Sequence, residues 1–180
     1  DHDLKVYAKE YFDSRPWVML MVIDNFSELF LDAKENERSK TMSEIEHIIE
    51  TFTEENHGLL KKLDKDRYIA VIEDRYMRQV EASRFPILDQ IRGITAGDRI
   101  SATMSIGAGS KEGSLHESEA LARQALDMAL GRGGDQAAVK LRDGYEFFGG
   151  VSKGVEKRNK VRTRIVANAI TEIVQTSKNI

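Results

Sequence analysis

The feature that most constrains this chain is Trp17-Val18-Met19-Leu20-Met21-Val22-Ile23, an uninterrupted apolar run that ends on Asp24. It is far shorter than the roughly 20 apolar residues a membrane-spanning helix takes. It also lacks the polar–apolar alternation of a strand wetted on one face. The run therefore predicts a strand inside a sheet, covered on both sides, with Met19, Met21 and Ile23 out of solvent. The rest of the chain has to supply helices for two faces.

The flanking periodicities meet that demand. Residues 3–13 are polar with Leu4, Val6, Tyr7, Tyr11 and Phe12 interspersed, a short helix that Arg15-Pro16 breaks. From Ser39 to Asn56, Met42, Ile45, Ile48, Ile49 and Phe52 recur at helical spacing, and His57-Gly58 closes the helix. Residues 58–63 and 68–72 predict two strands, with Asp64-Lys65-Asp66-Arg67 as the hairpin tip. Residues 75–93 predict one helix through Tyr76, Val80, Phe85, Leu88 and Ile91, despite Pro86 in its middle. Residues 99–107 predict another strand. Residues 118–132 predict a helix whose one face carries Leu121, Ala122, Ala125, Leu126 and Ala129. Two short strands, 137–141 and 145–148, flank the turn Arg142-Asp143-Gly144. The predicted fold is α+β: a ferredoxin-like βαββαβ core with an extra β-hairpin and flanking N- and C-terminal helices. Many unrelated functions share that core, so the order of elements does not give the function.

Charge and rare residues remove several classes. The net charge of -3 argues against a nucleic-acid partner, which usually meets a basic excess. The basic stretch from Lys153 to Arg164 is more simply one solvated face of a linker helix. With no cysteine, thiolate zinc sites and cysteine nucleophiles are excluded. His2, His47, His57 and His116 lack metal-ligand spacing, and no Ser-His-Asp set is recognisable. The chain opens on Asp1 and closes in a helical pattern, so it is expected to be a piece of a longer protein.

Four segments carry a resemblance. Val22-Ile23-Asp24-Asn25-Phe26 is similar to the I-D-x-F segment of GGDEF domains, the nucleotide-cyclase fold of bacterial dinucleotide signalling. Leu63-Asp64-Lys65-Asp66-Arg67-Tyr68 stands where those domains carry their G-G-D/E-E-F hairpin. Ser105-Ile106-Gly107 resembles their S-I-G strand, and Ala122 to Leu130 resembles A-D-x-A-L-Y-x-A-K. The tail from Phe147 to Arg164 resembles the passage from GGDEF into DHH domains in the GdpP/YybT family. Those proteins join transmembrane helices, a PAS domain, a degenerate GGDEF domain and DHH/DHHA1 domains that hydrolyse cyclic di-AMP. The resemblance thus implies residues 1–15 as a linker helix from a PAS domain, 16–150 as the degenerate GGDEF domain, and 151–180 as a linker helix leading into a DHH phosphoesterase domain absent here. It implies PAS and DHH/DHHA1 domains of the same chain as partners, a homodimer as an assembly, and the cytoplasmic side of the membrane as the location.

Departures from the family pattern shape the functional expectation. Asp64 and Lys65 replace the hairpin glycines, whose missing Cβ lets backbone approach a phosphate. Arg67 replaces an acid, Phe30 and Ser39 stand at the base-reading positions, and Leu130 replaces a lysine. Cyclic-di-GMP synthesis needs carboxylates, phosphate cradle and base readout together, so a cyclase is not expected. The resemblance implies a nucleotide-responsive regulatory domain of a phosphodiesterase, with a weak Mg²⁺-dependent ATPase, or a structural spacer or dimerisation module, as alternatives. Asp24 and Asp66, at neighbouring ends of strand and hairpin, are candidate Mg²⁺ ligands. Lys62, Lys65 and Arg67 are candidates for the phosphates of ATP or GTP. The plain alternative is that Asp24 caps a helix and Asp66 decorates a turn. Arg132-Gly133-Gly134-Asp135-Gln136 contains a literal Gly-Gly-Asp, but it follows a long helix and predicts a helix-ending turn instead of a signature hairpin.

Overall fold

The computed structural model describes residues 2–97 and 100–149. The expected linker helix at 151–180 and the basic stretch within it lie outside the described residues. Strand β1 (Pro16–Ile23) is the spine. It pairs antiparallel with β3 (Arg67–Glu73) on one side and with β6 (Met104–Gly109) on the other. Strand β2 (Leu59–Asp64) lies outside β3 as an edge, and β7 (Gln136–Leu141) runs parallel to β6 with β8 (Gly144–Gly149) beyond it. The sheet order is β2-β3-β1-β6-β7-β8, so the first four strands form the expected ferredoxin-like core. The extra hairpin extends the same sheet.

Both faces of β1 are covered, as its uniform apolarity requires. Met19, Met21 and Ile23 are 0%, 1% and 1% exposed. They face the main core, together with Ile45 and Ile49 of α3 (Glu35–Glu55) and Ile87 and Ile91 of α5 (Ile87–Arg92). Val18 and Leu20 point the other way, onto Ala122 of α6 (Leu115–Gly131). Each large apolar side chain so buried contributes roughly 1.5–3 kcal/mol. Helix α6 lies close on the sheet because its contact face is Ala122, Ala125 and Ala129, and because the strand beneath offers Gly107 and Gly109. A Cβ on Gly109 would stand 2.5 Å from the backbone nitrogen of Ala122.

The structure differs from the sequence expectation in three places. The helix predicted over 75–93 is two: α4 (Asp74–Ala82) and α5. Between them Arg84 and Phe85 take positive φ, the Arg84 N–H donates to the Glu81 carbonyl, and the Phe85 N–H donates to the Val80 carbonyl. This is a Schellman stop built without glycine. It swings Phe85 into the core, 1% exposed, against Phe148, and Pro86 cannot continue the first helix. The strand predicted over 99–107 is also divided. Strand β5 (Ile100–Ser101) pairs with β4 (Thr95–Ala96) in a separate small sheet before β6 begins. The divider is Asn25, whose amide donates to the Ser101 carbonyl and accepts from the Thr103 N–H. Finally, a short helix α2 (Phe26–Leu29) follows β1 directly, with Asn25 and not Asp24 as its N-terminal cap residue.

Helix α1 (His2–Asp13) buries none of its side chains. It is held to α4 by polar ties: Arg75 to Glu10, and Arg78 to Asp13 at 2.6 Å. Arg78 also reaches Asp74 at 2.7 Å, and Asp74 accepts from the Trp17 indole at 2.8 Å. The hydrogen bond from Arg78 holds the Asp13 carboxyl below its ordinary value, against a smaller opposing effect of burial. A carboxyl lowered on folding stabilises the tie above its unfolded value, about 3.9, and loses that contribution as pH falls through the lower folded value. Acidification through that window is therefore expected to release α1 before the sheet melts. Trp17 fluorescence should report the step, and an Arg78→Ala variant should lack it; an unchanged acid profile in that variant would remove the tie from the account.

Candidate functional site

Three chain segments converge at the C-terminal end of β1. The first is Asp24-Asn25, where the strand turns into α2. The second is the turn Lys65-Asp66 between β2 and β3, since Asp64 and Arg67 already pair within the strands. The Ile23 N–H donates to the Asp66 carbonyl at 2.9 Å, which fixes this turn beside the strand end. The bond joins Ile23 to Asp66, so Asp66 stands beside the residue that precedes Asp24. The third segment is the turn after α6. Gly133, Gly134 and Asp135 all have positive φ, and the Asp135 N–H donates to Asp24 Oδ2 at 2.8 Å and to Ser105 Oγ at 3.1 Å.

The predicted cations divide into two groups. Lys65 extends over the ring of Phe26, 5.3 Å from its centre, and so stands beside the segment that carries Asp24. Arg67 lies 3.9 Å from Asp66 Oδ1 and is exposed, free to turn to an anion at the same tip. Lys62 is elsewhere occupied: its ammonium pairs with Glu46 of α3 and sits 5.8 Å from the Tyr68 ring centre. Burial, with Glu46 and its hydrogen bond, pushes the Tyr68 hydroxyl well above the ordinary tyrosine value, so this hydroxyl stays protonated. Lys62, Glu46 and Tyr68 therefore form a small closed set that ties the hairpin to α3.

Among the described residues no group of three or more His, Asp or Glu side chains could enclose a metal ion. What Asp24 and Asp66 offer suits Mg²⁺, which often takes one or two carboxylates and completes its shell with phosphate and water. A shallow groove near α2 presents Glu28, Asp32 and Glu37, a lining that disfavours phosphate. Sequence reasoning placed the Gly-Gly-Asp turn as a helix end, which it is, and gave no hint that its backbone reaches Asp24. Nor did it single out Arg92, which donates to Asp135 from Nε at 2.8 Å.

A family model described as "Cyclic-di-AMP phosphodiesterase GdpP-like, GGDEF domain" matches residues 21–147. The cyclic-di-AMP phosphodiesterase GdpP of Bacillus subtilis (strain 168) is 36% identical over 173 residues, which span 96% of this chain and 26% of that protein. The cyclic-di-AMP phosphodiesterase PdeA of Listeria monocytogenes serotype 1/2a (strain 10403S) is 32% identical over the same shares. The chain thus spans about a quarter of the length of the curated relatives it matches. Among solved structures, the active GGEEF domain of a diguanylate cyclase from Vibrio cholerae superposes with a TM-score of 0.63 at 12% identity, covering 78% of this chain and 92% of that one. The GGDEF domain of DgcB from Caulobacter crescentus gives 0.61 at 13% identity, covering 77% and 86%.

Proposed function

The chain belongs to the GGDEF domain family of GdpP-like cyclic-di-AMP phosphodiesterases, and from that premise we propose that it is a degenerate, nucleotide-responsive domain that regulates a phosphodiesterase instead of making a cyclic dinucleotide. The observation that carries this reading is the hydrogen bond from Ile23 to Asp66, which sets a hairpin tip that lacks glycine beside the strand end leading into Asp24. Two carboxylates suffice for a Mg²⁺–nucleotide. A tip built from Asp64-Lys65 keeps phosphates farther from the backbone than glycines would. Lys65 and Arg67 offset phosphate charge from their side chains, and bound Mg²⁺ would neutralise the remainder. Lys62 contributes to hairpin position through Glu46.

The partners proposed are PAS and DHH/DHHA1 domains of the same polypeptide, at the cytoplasmic face of a membrane, with no nucleic acid. Calorimetry of the chain with ATP and with GTP, each with and without Mg²⁺, tests the reading. Metal-dependent heat of modest affinity is expected; silence with both nucleotides would leave a spacer as the better account. Phosphate release above a metal-free control would add weak ATP hydrolysis.

A second expectation concerns product. Incubated with GTP and Mg²⁺, the chain should yield no cyclic di-GMP by chromatography beyond a heat-killed control. The missing glycines and the cation at Arg67 remove parts that two-metal condensation needs. Appearance of that product would overturn the degenerate reading.

A further inference from the structure

The turn after α6 is built more elaborately than a helix end requires. One left-handed residue would suffice to stop α6, yet Gly133, Gly134 and Asp135 have φ of 110°, 72° and 57°. The third is not glycine and is 5% exposed. Its carboxylate is held by Arg92 Nε at 2.8 Å, and its carbonyl by Arg92 Nη2 at 2.9 Å. One guanidinium thus grips both ends of a single residue whose backbone conformation is unfavourable for a side-chain-bearing amino acid. The consequence is directional. With Asp135 gripped, its N–H points at Asp24 Oδ2, and the turn wraps so closely that a Cβ on Gly134 would stand 2.9 Å from that oxygen.

We propose that Arg92 and the Gly133-Gly134-Asp135 turn are a positioning device for Asp24: Arg92 fixes Asp135, and the Asp135 N–H fixes the Asp24 carboxylate in the orientation that meets a Mg²⁺–nucleotide. This rests on the nucleotide reading above and adds residues to it. Arg92 closes α5 and Asp135 precedes β7, so the device links the end of α5 and the entry of β7 to Asp24 after β1. Carboxylates that ligate metals are oriented by hydrogen bonds from a second layer of groups, and loss of such a group typically costs about 10–100-fold in metal affinity. Arg92 touches neither carboxylate of the proposed pair and acts through the backbone of Asp135.

The test uses the whole 180-residue chain, its variants Arg92→Gln and Asp135→Asn, and Mn²⁺ as the metal probe. In Arg92→Gln, NMR hydrogen exchange of the Asp135 amide is expected to quicken by at least about tenfold while β1 amides keep their protection, a local opening and not a global one. Mn²⁺ affinity should fall about 10–100-fold. Asp135→Asn keeps the carbonyl bond to Arg92, so both changes should be smaller. If Arg92→Gln does not fold, Asp135→Asn decides, and parent-like exchange with parent-like Mn²⁺ affinity overturns the proposal. Faster exchange with unchanged Mn²⁺ affinity also overturns it, leaving the turn a structural brace. Failure of the parent chain itself to bind Mn²⁺ or ATP sinks the nucleotide reading, and the device's purpose with it, a result distinct from either of these.

Discussion

Replacing Gly107 with alanine is expected to destabilise the chain by about 3 kcal/mol, the upper part of the range for overpacking a filled interior. The new Cβ would stand 2.2 Å from the Ala122 carbonyl oxygen, 2.2 Å from the Leu126 nitrogen and 2.6 Å from the Leu126 Cα. All three are backbone atoms, so no side-chain rotation relieves the clash; α6 has to lift. Lifting it also loosens Ala122, Ala125 and Ala129, each wholly buried against the sheet. At roughly 2–4 °C per kcal/mol for a chain of this size, the melting midpoint should fall by about 6–12 °C. Gly131 is the control, since an added Cβ there meets nothing within 4 Å. Gly131→Ala, at a helical position, should be neutral or stabilising by up to about 1 kcal/mol. Urea and thermal denaturation of the two variants beside the parent would settle the matter; a Gly107→Ala midpoint equal to the parent's would mean that α6 does not lie where the structure puts it.

The other large effect is expected on ligand binding. Asp24→Asn should lower Mg²⁺-dependent affinity for ATP by about 100-fold, the upper end of what loss of an orienting partner costs, because Asp24 is itself a proposed ligand. The amide keeps an oxygen that can accept the Asp135 N–H, so the melting midpoint should change little. Removal of charge with geometry retained is what makes this variant informative. Asp66→Asn should produce a similar loss; its side chain is partly buried and lies 3.9 Å from Arg67. Arg67→Glu should alter the metal response by adding an acid beside Asp66. If both Asn variants bind Mg²⁺–ATP like the parent, the nucleotide reading has the wrong residues, and any activity belongs to another part of the surface.

What could be read from the chain alone depended on how local its physical cause was. The interior strand was legible because an unbroken apolar run of strand length has few other places to go. Gly107 was legible as part of a motif, but the reason for it, the backbone of α6 passing within a Cβ's reach, is a tertiary fact. The split of residues 75–93 was hidden because Phe85 fits a helical apolar stripe as well as a core position reached by a chain reversal. Arg84 and Phe85 give no glycine signal for that reversal. Asn25 gave no warning that it would divide a strand, because its partners Ser101 and Thr103 are distant in sequence. The same holds for the candidate site. That the β2–β3 turn stands beside the end of β1 followed from strand order, whereas the bond from Asp135 to Asp24 joins residues separated by 111 positions. The sequence pattern of a helix stop is identical whether or not its backbone also serves a carboxylate.

The outer strand β2 has a consequence for how copies of this domain can meet. Its outer edge, unpaired among the described residues, carries Lys61, Lys62 and Asp64, all exposed, and its register shifts between Lys62 and Asp64. Charge and a bulge on an unpaired edge are the means by which sheets refuse a further strand. Held side by side at high local concentration, two such domains would resist joining into one continuous sheet along β2 and the aggregation that such joining seeds. A reversible pair has to be made from other surfaces.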